Sequence, residues 1–163
     1  MPGTRLQLRF SIWGESLDPD QMTASLGVEP TKSFRVGDRR LALKDFAGWE
    51  WWSAWSDWDI TPLTISLMDL FNDHREVIQQ LVSDGASVNL EVVGDVDADL
   101  VDNREEAVRR RYDTSEEPFR PFLDSDRVGL EFNADLLGFL ASLSASLDID
   151  IDIFGGFNAN RQA

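Results

Sequence analysis

Cysteine is missing from the chain, which excludes disulfides, iron–sulfur clusters, thiolate zinc sites and thiol catalysis. Histidine occurs once, at His74. No apolar run approaches the ~20 residues that a membrane-crossing helix needs. Nucleotide and hydrolase motifs are absent as well: there is no Walker loop, no Gly-rich dinucleotide fingerprint and no G-x-S-x-G elbow. The opening residues Met1-Pro2-Gly3-Thr4-Arg5 carry no apolar segment behind their charge, so no signal peptide is expected. With no cysteine and no leader, the cytoplasm is the expected location. Bases are scarce beside acids, 15 against 30, which leaves a formal net charge of −15. Such a surface repels phosphates and anionic lipid, so neither nucleic acid nor membrane is expected as a partner. It attracts a basic protein, and it also serves plain solubility. The oligomeric state is not legible.

What is present suits one domain over residues 1–163. Hydrophobic residues make up 42% and charged residues 28%, ordinary globular usage for a chain of 163. Leu6, Leu8, Phe10 and Ile12 alternate with Arg5, Gln7, Arg9 and Ser11, a strand with one wet face. Asp18 then offers an N-cap, Pro19 the first helical position and Gln21 a capping box, with Leu17 and Met22 as a staple. Gly27 ends that helix. Residues 33–37 read as a short strand, 38–48 as a loop, and the aromatic stretch 49–56 as another strand.

A long helix is expected after Thr61 as cap, with Ile60 and Ile65 as a second staple. Its stripe is Leu67, Phe71, His74, Ile78 and Leu81, closed by Asp84-Gly85. Residues 87–93 alternate as a strand. Residues 95–126 hold eleven acids, five arginines and two prolines, and read as an acidic surface insertion. The pattern inside it allows a short helix across 104–112. After it, Val128, Leu130 and Phe132 alternate as a strand. Asn133 caps a helix facing inward through Leu136, Leu140, Leu143 and Leu147. Ile149, Ile151 and Ile153 alternate with Asp148, Asp150 and Asp152 in a last strand, and 155–163 form a tail. The order is β-α-β-β-α-β, the insertion, then β-α-β. This predicts an α+β fold: a mixed, largely antiparallel sheet with helices on one face and an open face opposite.

The residues Ile12, Gly14, Leu17-Asp18-Pro19, Leu26-Gly27-Val28-Glu29-Pro30-Thr31 and Gly37-Asp38 resemble a bacterial family, domain of unknown function 4279. The later tryptophans, the central helix and the closing strand-helix-strand are similar in order, so the resemblance spans most of the chain outside 95–126. The family brings no activity, cofactor or catalytic residue. Some bacterial families of this size are immunity proteins against toxins, an association rather than an inference from the residues.

Candidate chemistry is sparse. His74 sits on an apolar stripe, where a structural histidine is the expected role. Asp148, Asp150 and Asp152 project the same way, ~7 Å apart, and Asp95, Asp97 and Asp99 repeat the spacing in the insertion, but the glycine and distal glutamate of a calcium loop are absent. Arg5 and Arg9, on the wet face of the first strand, are expected to face these aspartates. Lys32, Arg35, Arg39, Arg40 and Lys44 form the one basic cluster, and five of the six tryptophans lie between Trp49 and Trp58. Stacking beside cations is how single-stranded nucleic acid is held, but the net charge opposes that use. Arg35, Arg39, Arg40, Trp52 and Trp55 are therefore the candidate interaction or ligand surface, with Trp52 and Trp55 placed on opposite faces of one strand.

Two functions are expected from these features. The first is a non-enzymatic interaction module with an acidic surface, of the intracellular inhibitor or immunity type. The alternative is a small-ligand-binding or weakly enzymatic domain built on the tryptophan-rich segment and the adjacent bases. No catalytic residue, metal site or cofactor is expected.

Overall fold

A computed structural model describes residues 5–38, 45–57, 59–97, 130 and 132–154. The first strand, β1, runs Arg5–Gly14, and helix α1 runs Pro19–Leu26. The Asp18 carboxylate accepts from the N–H groups of Asp20 and Gln21, and Gly27 closes the helix at φ 64°, a left-handed conformation that costs glycine least. Strands β2 (Lys32–Phe34), β3 (Ala47–Trp52) and β4 (Ser56–Asp57) follow. The single strand expected over 49–56 is thus broken at Ser53, and the strand expected over 33–37 stops at Phe34.

The long helix is also broken. Helix α2 runs Thr61–Phe71, a turn of 3-10 helix spans Asn72–His74, and α3 runs Arg75–Ser83. Asn72 and Asp73 carry short polar side chains that compete with helical backbone bonding, and the Asn72 amide oxygen accepts from Arg75 at 2.8 Å. Thr61 is not the cap; Asp59 Oδ1 accepts the Thr61 N–H at 2.9 Å. The Ile60–Ile65 staple does not form either. Ile60 is buried, but Ile65 is 54% exposed.

Strand β5 runs Ser87–Asp97, so residues 95–97 belong to the sheet rather than to the insertion. The rest of that insertion, with the helix allowed over 104–112, lies outside the described residues, as does the tail 155–163. Of the strand expected over 128–132, Leu130 and Phe132 are described, and neither is in a strand. Asn133 does cap the next helix, α4 (Ala134–Ser142), accepting from Leu136 N–H at 2.8 Å. Leu147 belongs instead to the last strand, β6 (Ser146–Phe154).

The sheet order is β2-β3-β1-β5-β6, with β4 pairing β1 beside β3. Every pairing is antiparallel except β5 with β6. The fold is therefore α+β with a mixed, largely antiparallel sheet, as the alternation implies. Leu6, Leu8, Phe10 and Ile12 of β1, Trp49 of β3 and Val88, Leu90 and Val92 of β5 form one buried face. Against it pack Met22 and Leu26 of α1, Leu67 and Phe71 of α2, Ile78 of α3, and Leu136, Phe139 and Leu140 of α4. The four described helices thus cover one face, with Arg5, Gln7, Arg9 and Ser11 on the other.

Candidate functional site

The open face is organised by register. Arg9 on β1 stands opposite Trp52 on β3 and Glu91 on β5, while Arg5 stands opposite Asp57 on β4 and Asp95 on β5. Each arginine is held between a carboxylate and a tryptophan. Arg5 Nε donates to Asp95 Oδ2 at 2.8 Å, and its guanidinium lies 4.0 Å from the Trp55 ring centre. Arg9 donates to Gln7 Oε1 at 3.2 Å and to Glu91 Oε2 at 3.5 Å, with its guanidinium 4.5 Å from the Trp52 ring. Lys32 approaches the same ring from β2, at 5.8 Å. Cations over aromatic faces are attracted by the ring quadrupole.

Ser53 positions the two tryptophans. Its hydroxyl accepts the Leu8 N–H at 2.9 Å and donates to Ala54 C=O at 2.7 Å, ending β3 after Trp52. Gln7, buried beneath the array, donates to Ser53 C=O at 3.0 Å. Trp52 Nε1 donates to Glu50 at 3.2 Å, and its backbone N–H donates to the Thr31 hydroxyl at 3.0 Å. The break at Ser53 changes the parity of the chain, so Trp55 comes back to the same face as Trp52. The expectation that they lie on opposite faces is therefore wrong, and neither is core. Among the described tryptophans Trp49 is fully buried, with its indole N–H donating to Thr23 Oγ1 at 3.2 Å, and Trp51 packs against the core beside it.

Of the five bases of the cluster, Lys32 and Arg35 are among the described residues. Arg35 pairs with Asp20 of α1, toward the helix layer, while Trp52 belongs to the open face. Arg39 and Arg40 lie outside the described residues. Lys32 is the one member of the cluster that meets a tryptophan among the described residues. Arg5 and Arg9 take the place assigned to Arg35. Of the aspartates expected opposite them, Asp95 is met by Arg5, while those of β6 lie beyond β5, which supplies Glu91 to Arg9. His74 is half-buried in the 3-10 turn.

Toward the other edge the face turns acidic. Register sets Asp148, Asp150 and Asp152 of β6 level with Glu91, Val93 and Asp95 of β5. All three β6 aspartates are exposed, and none forms an ion pair among the described residues. On this face the described carboxylates are Glu50, Asp57, Glu91, Asp95, Asp148, Asp150 and Asp152. They oppose Arg5, Arg9 and Lys32: seven against three, a net charge of −4. Beside Trp52, across β2, β3, β1 and β5, lies a depression of about 280 Å³ lined by Arg9, Ser11, Lys32, Glu50, Trp52, Asn89 and Glu91. Among the described residues no cluster of His, Cys, Asp and Glu suited to a metal occurs, and no helix is long and apolar enough to cross a membrane.

Fold and site together define an α+β domain in which the sheet face opposite the described helices pairs a cation–tryptophan array with an acidic edge. A family model described as a domain of unknown function (DUF4279) matches residues 4–94, and the chain belongs to that family. The matched span holds β1 to β4, the array on them and β5 as far as Gly94, while α4 and β6 lie beyond it. No curated protein and no solved structure matches the chain.

Proposed function

We propose that this protein is a non-enzymatic interaction module that binds a basic protein partner on its open sheet face. One observation carries the reading: Trp52 and Trp55 are fixed at the surface by Arg9 and Arg5, on a face whose remaining charge is acidic. Anchors already held in place lose little freedom on binding, and tryptophan and arginine dominate interface energetics. The acids supply selection and encounter rate more than tightness. Covering a basic enzyme in the cytoplasm, as an inhibitor or immunity-type protein does, is the role such a surface suits. The test is a partner captured from the native host and then measured as a purified pair. Trp52→Ala should weaken that pair by ~2 kcal/mol or more, and Ile65→Ala, on the helix side, should leave it unchanged. Equal affinity for both variants would place the contact elsewhere.

The depression beside Trp52 favours a second reading, a small polar ligand held by Arg9, Lys32, Glu50 and Glu91. Its signature is a low-molecular-weight compound whose binding is lost in Lys32→Ala while the protein partner is retained.

A further inference from the structure

We propose that the partner engages the outer edge of β6 as an added strand of alternating basic and apolar residues. This rests on the reading of a basic partner given above, and it specifies that partner's shape. Strand β6 is nine residues long and pairs on one side, with β5. Among the described residues nothing pairs with its other side. A strand paired on one side turns about half of its N–H and C=O groups outward, where they template another chain.

The two faces of that edge differ. Asp148, Asp150 and Asp152 occupy the open face, ~7 Å apart along the strand. On the helix face stand Leu147, Ile149 and Ile151, level with Leu90, Val92 and Gly94. The helices bury Val92 completely but leave Ile149 51% exposed. An incoming strand therefore meets carboxylates on one side and an uncovered isoleucine on the other. Directly opposed residues have Cβ atoms ~4.5–5.5 Å apart, close enough for lysine or arginine to meet each aspartate and for valine or isoleucine to cover Ile149. Like charges placed opposite are destabilising, so a second copy of the chain, pairing β6 with β6, sets aspartate against aspartate and is disfavoured. The opposite sheet edge, β2, is three residues long and offers far less backbone.

The experiment titrates the whole chain with an end-blocked peptide of seven residues, lysine and valine in strict alternation, by calorimetry and amide chemical-shift mapping. Two comparators accompany it: a block peptide of the same composition, and the alternating peptide N-methylated at every second residue on either edge. The alternating peptide should bind about tenfold tighter than the block peptide, as three cross-strand charge pairs allow. Methylation of one edge should abolish that advantage, and the shifts should centre on 146–152. Asp148→Asn, Asp150→Asn and Asp152→Asn combined, checked for folding by circular dichroism, should lose it too. Block and alternating peptides binding alike, or N-methylation having no effect, would overturn the added strand. Trp52 lies three strand spacings from β6, ~14 Å, beyond the peptide. If no peptide discriminates but Trp52→Ala still weakens the protein partner, the edge proposal falls and the open-face reading stands. If the peptides discriminate as expected but the partner ignores Trp52→Ala, the open-face reading falls and the edge stands.

Discussion

Phe71 is where four aromatic rings meet. Its ring centre lies 4.8 Å from Phe10, 5.6 Å from Trp51 and 6.0 Å from Trp49, and the side chain is fully buried. Removing it leaves a cavity bounded by a helix and two strands that cannot collapse together. Phe71→Ala should therefore cost ~3–5 kcal/mol in denaturant unfolding. A loss below ~1 kcal/mol, the range of surface positions, would contradict the packing. Gly48 makes the opposite kind of demand: a Cβ there would lie 2.3 Å from the Phe34 ring, which covers it from β2. On the open face, Arg5 and Trp55 are both partly exposed. A double-mutant cycle with Arg5→Ala and Trp55→Ala should give a coupling of ~0.5–1 kcal/mol, the size of an exposed cation–aromatic contact. Additive losses would mean that the stacking does not hold Trp55 in place.

At the scale of elements, the ends are set by short polar side chains, and these were unevenly legible. Asp18 and Asn133 cap the helices they precede, because each is followed directly by a helical residue run with no competitor. Before α2 there are two candidates, and Asp59 rather than Thr61 accepts the first free N–H. Asp59→Ala should accordingly cost ~1 kcal/mol, read by thermal or urea unfolding. An unchanged midpoint would mean that the Asp59 bond does not hold the start of the helix. Period-two alternation located β1, β5 and β6 well, and with them the open face. It did not reveal the break at Ser53, since a hydroxyl that captures Leu8 N–H from a neighbouring strand leaves no local signal. That break decided the site. It put Trp52 and Trp55 on one face and made Arg5 and Arg9 their partners. The wet face of β1 was readable from residues 5–11, but the register Arg9↔Trp52 is a long-range pairing that no window of sequence contains. The alternation of Leu130 and Phe132, a short apolar pattern, suggested a strand where neither residue joins one.

Over the whole molecule, the net charge of −15 acts at a distance that no single contact does. Within the described sheet it is not spread evenly: Arg5, Arg9 and Lys32 are gathered around Trp52 and Trp55, and the β6 aspartates stand beyond them without ion-pair partners among the described residues. On the proposed reading, a basic partner approaching such a surface would be steered by the overall field and oriented by the acidic edge, then held by the rings. Steering and holding respond to different changes. Exposed charges are screened beyond ~10 Å at 0.1 M salt, so the association rate should fall steeply between low and physiological ionic strength while dissociation changes less. Trp52→Ala should do the reverse, raising the dissociation rate and leaving the salt slope of association as it was. Stopped-flow or surface-based kinetics on the purified pair separates the two. If association is indifferent to salt, the acidity serves solubility rather than recognition, and binding through the open face would have to rest on the tryptophans alone.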